Sequence, residues 1–484
     1  MSEEFDVIVI GGGVVGCALS WYLAHFDLRV LLLEKELDVC SGVSKANTGI
    51  IHSRSYWTPH TLKGEVHLRS LPWIKRAEKE LDIEFLKTGA LTVAFSQDEL
   101  EFLRTLKERG KIEGAEILTP QEAHTLEPMM SDKMFAAYYD PETRVASPFK
   151  LNIALAEGAF LNGVRFIFGQ EVVGFEEGKN NNIKVITKEG EYLSRFALNC
   201  AGLSSSYLAQ RTGENIPSLQ PLRGEYLVLD KECKSLVHHV LYPVPVGETK
   251  GILVSPTTDG NILVGPNLEP AEDEDTSTTK EGLKEVEEGG KKLIPSLPLS
   301  QVIATFSGLR PTLPARDFQI FFSSRFPSLL HLVGIESPGL TASFGIAEYA
   351  GDLLQKKGLK LREKRSFLFR SSFPVFRELS WEERERLIQE DADWGKIICR
   401  CEEVTVREVK HALLSSPGAS TLDGLKRRVR VMMGRCQGSF CGMHLPFLMA
   451  ETLGLEERKI IKSGRNSFYL GGETKEVTSD ASFY

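Results

Sequence analysis

The sequence predicts an α/β (α+β) protein. A parallel sheet suited to a dinucleotide is assembled from separated pieces, an antiparallel sheet is inserted between them, and a small helical domain follows. Three observations predict it. A strand, a glycine turn, a helix, a second strand and an acid succeed one another in residues 5–34. The strand, turn and helix pattern returns at 196–206 and 330–354. Four cysteines gather between positions 399 and 441.

Val7 to Ile10 is an apolar run without polar interruption, which suits a strand buried on both faces of a parallel sheet. Gly11, Gly13 and Gly16 then fall at the dinucleotide spacing. The first permits a tight turn, the second lets backbone approach a pyrophosphate, and the third lets the next helix pack closely. That helix, expected over Val14 to His25, turns free N–H groups and a positive dipole end toward phosphates. Arg29 to Leu33 reads as the second strand, with Glu34 at its end to accept ribose hydroxyls. An acid there disfavours NADP, while FAD and NAD fit this unit equally.

The small and hydroxylic stretch 39–55 lacks periodicity, as expected of a segment lying against something other than a hydrophobic core. Helices are expected at 61–81, 97–109, from the capping Thr119, and at 148–162. Strands are expected at 90–95, 164–168, 171–176, 183–187 and 196–199, with a turn at 139–144. Segments 223–229, 251–256 and 261–265 read as strands of a separate antiparallel sheet, and 269–292 as acidic and exposed. A further helix is expected through Gly345 to Leu354, a basic and aromatic linker at 356–377, and a charged helix at 380–391.

With 484 residues the chain is too long for one core. A net charge of −8 argues against nucleic acid as the main partner. No run of eighteen apolar residues occurs and the N-terminus enters a strand directly, so neither a transmembrane helix nor a cleaved signal peptide is expected. The chain is expected to be cytoplasmic, with any membrane attachment made through a partner. There a disulfide is a poor account of the cysteine cluster and a metal a better one.

Together the N-terminal fingerprint, Ser44 to His52, Asn199 to Leu203, Phe306 to Pro311 and Gly334 to Thr341 resemble the FAD-dependent oxidoreductases of the D-amino-acid oxidase class. The likeness is to the branch holding glycerol-3-phosphate dehydrogenases and L-2-hydroxyglutarate oxidases. It covers residues 1–360 and implies FAD as the cofactor. It also implies an FAD part at about 1–88, 146–220 and 305–360 and a substrate part at about 89–145 and 221–304. A linker at 361–394, a cluster domain at 395–450 and a tail at 451–484 complete the division.

By the same resemblance Gly11, Gly13, Gly16 and Glu34 contact adenosine and pyrophosphate, and Lys35 flanks the ribose. Ser44, Asn47 and Thr48 form the loop under the ribityl chain and flavin, Val173 gives a backbone contact to adenine, and Gly202, Gly339, Leu340 and Thr341 supply the remaining flavin contacts. Arg310 resembles the arginine that clamps an anionic substrate, a role suited to its planar fork. His52 is the candidate to accept the hydroxyl proton, since an imidazole titrates near working pH. Lys63 and Arg54 are weaker candidates for the anionic group.

The segments around Cys399 and Cys401, and around Cys436 and Cys441, resemble the [2Fe-2S] domain of bacterioferritin-associated ferredoxins. Structural zinc is the rival, but its usual signature is two Cys-X-X-Cys pairs. Helices are expected at 405–414, with Thr405 and Glu408 as a capping box, and at 421–433. Lys426, Arg427, Arg428 and Arg430 on the second would raise the potential of the cluster.

The resemblance implies oxidation of sn-glycerol 3-phosphate to dihydroxyacetone phosphate, with electrons leaving through the cluster to a partner. L-2-Hydroxyglutarate is the alternative substrate, because the Asn47 to His52 segment looks like that branch, whereas the fused cluster domain looks like the anaerobic glycerol-phosphate enzymes. A second alternative is an electron-transfer subunit of a flavoprotein complex. One convincing dinucleotide fingerprint implies that NAD would need a second, NAD-linked flavoprotein, hence a hetero-oligomer.

Overall fold

The structure is a computed structural model that describes residues 4–179, 182–245, 251–271 and 274–472. Residues 473–484 of the expected tail lie outside the described residues, as do 272–273 of the stretch expected to be exposed. The chain divides into two compact units. One holds the residues up to Glu34 together with Val39–Ser371, and the other holds Lys35–Asp38 with the residues from Ser372 onward.

In the first unit, strand Glu4–Ile10 lies between two parallel neighbours, Val30–Glu34 on one side and Glu191–Asn199 on the other. Arg165–Phe168 extends the sheet beyond Val30–Glu34, and Leu329–Val333 extends it beyond Glu191–Asn199. The chain leaves the central strand to both sides, so a crevice opens at the carboxyl ends of these strands. Gly11–Gly13, Cys200–Gly202 and Gly334 all emerge at that edge. Helices Val14–Leu23, Leu62–Glu80, Pro148–Leu161 and Gly339–Lys356 bury one face of the sheet in a core containing Trp21, Leu32, Leu155 and Phe344. The crossing of Leu62–Glu80 with Gly339–Lys356 depends on Gly345, where a Cβ would lie 1.9 Å from the Val66 carbonyl oxygen.

A second, mixed and mostly antiparallel sheet runs from Gln220–Leu229 through Ile262–Gly265, Leu253–Pro256 and Val240–Pro243 to Ala90–Ala94 and Ala136–Asp140. Its longest strand, Val302–Thr312, pairs along Gln220–Leu229 with Gly308 opposite Gly224 and Arg310 opposite Leu222. The stretch expected to be acidic and exposed contains instead a helix, Lys280–Leu293, whose Val286 and Leu293 are buried. Its surface is charged but balanced, with four Lys and four Glu, and Gly289 and Gly290 let the inner face approach Ile252 and Val264.

Part of the expected linker packs within the first unit. Phe367 stacks on His25 at 3.9 Å, and Arg370 pairs with Glu157 at 2.5 Å.

The second unit has its own core of Val404, Val409, Leu422, Leu425 and Met449. Helix Val406–Leu414 starts at the capping box of Thr405 and Glu408. The next helix, expected to reach residue 433, ends at Val429 because Arg430 adopts a left-handed φ of 65° that turns the chain toward Cys436. Among the described residues no helix is long and apolar enough to cross a membrane.

Candidate active site and cysteine centre

The glycine turn is built to take a ligand. A Cβ at Gly16 would lie 1.9 Å from the Gly11 carbonyl oxygen, so this glycine serves helix packing. At Gly13 a Cβ would meet only the Ser44 hydroxyl, at 3.1 Å, and at Gly202, with φ of 56°, it would meet nothing within 4 Å. The Ser44 hydroxyl accepts from the Val14 N–H at 2.9 Å, which places it at the start of helix Val14–Leu23. Glu34 accepts from the Gly12 N–H. These oxygens, N–H groups and side-chain-free surfaces suit a pyrophosphate and a ribose. Lys35 follows as an exposed residue, and Val173 lies at the start of strand Val172–Glu177.

Asn47 acts within its loop. Its amide donates to the Ser44 carbonyl and its side-chain oxygen accepts from the Gly49 N–H, both at 2.9 Å. The loop passes over strand Val302–Thr312 at Gly308, where a Cβ would come 2.2 Å from the Ala46 carbonyl oxygen. Tyr226 on the neighbouring strand hydrogen-bonds both Thr48 and Arg310, while its ring stacks on Phe306 at 4.5 Å. Burial pushes the Tyr226 phenol up, so it remains neutral beside the guanidinium.

Thr341, at the start of helix Gly339–Lys356, ties two distant segments together. Its hydroxyl accepts from the His52 N–H at 3.1 Å and donates to the Ile50 carbonyl at 3.3 Å. Gly339 and Leu340 precede it in the first turn of the same helix. His52 is buried, its carbonyl accepts from His67 Nε2 at 3.1 Å, and its Nδ1 lies 3.5 Å from the Tyr242 hydroxyl. The rings of Tyr56 and Tyr242 flank it with centroids at 5.5 and 6.4 Å. Behind them the buried Asp140 accepts from Ser53, and burial holds its carboxyl above the usual carboxylate range.

The weaker cation candidates are differently placed. Lys63 pairs with Glu336 at 3.0 Å, and Arg54 lies 3.8 Å from Glu142. Arg310 is half-buried and, among the described residues, has no carboxylate within ion-pair distance. Tyr226, Tyr242, Tyr56 and Asp140 were not singled out from the sequence. They lie on separate strands of the second sheet or in the loop after His52, and no motif marks them.

The cysteine centre lies wholly within the second unit. Cys401 Sγ is 3.9 Å from Cys399 Sγ and 3.6 Å from Cys436 Sγ, and the Cys399 thiol is hydrogen-bonded to Cys441. That bond and burial push the Cys399 thiol up, whereas backbone N–H groups of Phe440 and Gly438 hold Cys436 low. Backbone groups of Met432 and Glu402 point at Cys399 as well. Four converging sulfurs with peptide N–H donors fit an iron-sulfur cluster. A Cβ at Gly434 would come 2.5 Å from Cys401 Sγ, so a glycine is needed there.

The arginines expected to impose bare positive charge are partly neutralised, two sharing each carboxylate. Arg430 and Arg377 pair with the buried Glu402 at 2.8 and 3.0 Å, and Arg428 and Arg427 pair with Asp38 at 2.5 and 3.3 Å. Their net field at the cysteines is correspondingly smaller than the sequence suggests.

Comparison with known proteins agrees with this geometry. The family described as FAD dependent oxidoreductase matches residues 6–353, and the BFD-like [2Fe-2S] binding domain matches residues 397–451. A glycerol 3-phosphate dehydrogenase of Caloramator mitchellensis is 37% identical over 476 residues, which are 97% of this chain and 99% of that one. An L-2-hydroxyglutarate dehydrogenase of Escherichia coli (strain K12) is 30% identical over 270 residues, 54% of this chain and 64% of that one. The solved structure of an L-alpha-glycerophosphate oxidase from Mycoplasma pneumoniae with FAD bound superposes with a TM-score of 0.71 at 30% identity. It covers 77% of this chain and 99% of that one. This chain therefore belongs to the FAD-dependent oxidoreductases of the D-amino-acid oxidase class, as an FAD-binding enzyme that carries a C-terminal [2Fe-2S] domain.

Proposed function

We propose that the enzyme oxidises sn-glycerol 3-phosphate to dihydroxyacetone phosphate and passes the electrons through its [2Fe-2S] cluster to a partner protein. The observation that carries this reading is Arg310, a half-buried guanidinium steadied by Tyr226 and lacking a carboxylate partner among the described residues. Such a group is completed by an anionic substrate, and its fork matches a phosphate through two hydrogen bonds. The relative named as a glycerol 3-phosphate dehydrogenase extends along nearly all of this chain, cysteine centre included, whereas the 2-hydroxyglutarate relative spans about half of it.

Gly11, Gly13, Gly16, Glu34, Lys35, Ser44, Asn47, Thr48, Val173, Gly202, Gly339, Leu340 and Thr341 would hold FAD. Ser44 and Glu34 would do so through side-chain oxygens, and Asn47 and Thr341 chiefly by shaping the backbone. When bound, FAD supplies the two-electron acceptor for the carbinol C–H. Arg310 would anchor the phosphate while His52 takes the hydroxyl proton onto its ring, held in place by Thr341 at its backbone and by Tyr242 at Nδ1. Cys399, Cys401, Cys436 and Cys441 would ligate the cluster, which supplies a one-electron relay. The acceptor would be a second, NAD-linked flavoprotein subunit or another carrier.

Anaerobic titration with glycerol 3-phosphate, and separately with L-2-hydroxyglutarate, tests this. Bleaching of the flavin absorption by near-stoichiometric glycerol 3-phosphate is expected. Bleaching by L-2-hydroxyglutarate alone would transfer the assignment to that substrate, and bleaching by neither would leave an electron-transfer subunit fed by a partner.

A further inference from the structure

Beside the cysteine centre the second unit exposes apolar side chains. Phe440, Met443 and Phe447 are 39%, 69% and 53% exposed, while Cys441, Leu445 and Met449 on the opposite side of the same turns are buried. Scattered apolar residues on a surface need no explanation, but three large ones on one face of consecutive turns do. This face is joined to the cluster ligands through the backbone. The Phe440 N–H donates to the Cys436 sulfur, and Cys436 and its neighbour Cys401, 3.6 Å away, are less buried than Cys399 and Cys441. The exposed edge of the centre therefore lies at the patch.

The charge around it has one sign. Residues 395–451 hold nine Lys and Arg against five Asp and Glu, in a chain whose net charge is −8. The Arg400 guanidinium sits over the Phe440 ring at 4.3 Å, is exposed, and has no carboxylate within ion-pair distance among the described residues. The nearest acids are engaged, Glu402 by Arg377 and Arg430 and Glu403 by Arg384 at 3.9 Å.

We propose that Phe440, Met443 and Phe447, rimmed by Arg400, form the docking surface for an acidic one-electron carrier protein that collects electrons at the Cys401 and Cys436 edge of the cluster. This rests on the reading that electrons leave through the cluster. A small apolar centre with a charged rim is the form of a transient electron-transfer interface, in which opposite charge raises the association rate. A second copy of this chain docked face to face would oppose Arg400 to Arg400, which disfavours a symmetric dimer here. Each carrier molecule gains one electron. Two are therefore reduced for every secondary alcohol converted to a ketone, and the two protons pass to solvent.

The test uses holoenzyme reduced chemically, so that it does not depend on which substrate is correct. Binding of an acidic [2Fe-2S] ferredoxin and of a basic c-type cytochrome is measured by surface plasmon resonance at low and high salt. The ferredoxin is expected to bind more tightly, with an association rate that falls as salt rises. Phe440→Ala should raise its Kd about tenfold. Arg400→Glu should slow association and flatten the salt dependence, with both variants retaining the cluster absorption and substrate-driven bleaching. Equal binding of the two carriers overturns the proposal, as does an unchanged Kd and association rate in Arg400→Glu. Binding to vesicles of phosphatidylglycerol in place of ferredoxin would overturn it in favour of a membrane surface.

Discussion

Replacing Arg310 by Ala removes the one cation of the site for which the described structure supplies no carboxylate. Its backbone stays paired opposite Leu222, so the strand should survive, and Tyr226 keeps Thr48 as a hydrogen-bond partner. Truncating a desolvated charge contact costs about 2–5 kcal/mol. Arg310 is half-buried, so the lower half of that range applies, about 2–3 kcal/mol, or a loss of about 30- to 150-fold. Because the contact is made to the non-reacting phosphate, most of the loss should appear as a raised KM. Arg310→Lys keeps the charge without the fork and should lose about tenfold. The assay is the rate of anaerobic flavin bleaching over a range of glycerol 3-phosphate, with FAD content checked beforehand. A variant with full FAD content and kcat/KM within threefold of wild type would refute the anion-clamp argument.

Other perturbations separate fold from ligand. Gly13→Ala should leave the apoprotein folded but weaken FAD retention at least tenfold, whereas Gly16→Ala, with its Cβ at 1.9 Å from a carbonyl oxygen, should lower the melting temperature of the apoprotein itself. Glu402→Ala strands Arg377 and Arg430 around a buried site, at a cost of about 3–5 kcal/mol, read as earlier loss of the cluster absorption in urea. His331 is fully buried, with Asn199 at Nδ1 and Thr212 at Nε2, and burial lowers its pKa to about 4. The unfolded chain therefore binds the extra proton, and stability should fall by up to about 3 kcal/mol as pH drops from 6.5 toward 4. In His331→Gln that slope should be shallower in urea denaturation followed across the same range.

Much of the fold is written in short-range chemistry. Apolar runs that end in glycine announce the parallel strands and their turns, and the Thr119 and Thr405 capping boxes mark helix starts within one residue. The four cysteines advertise a metal centre by their clustering, and the resemblance of their flanking segments to a [2Fe-2S] domain makes it iron-sulfur. Less legible was helix Lys280–Leu293, whose charged surface conceals a buried stripe. The early stop at Arg430 was also hidden, because a left-handed cap that is not glycine carries no compositional signal.

What the sequence by itself determined is the set of local devices: the glycine cradle, the helix caps, the acid at Glu34 and the paired cysteines. Tertiary structure decided which cations remain unneutralised, drawing Glu336 to Lys63 and Glu402 to Arg430 while leaving Arg310 beside Tyr226. It also decided that Thr341 should hold His52 across 289 residues of chain. The physical reason is range. Backbone preference and periodicity act over a few residues, whereas neutralising a charge or orienting an imidazole requires partners that only chain closure brings together.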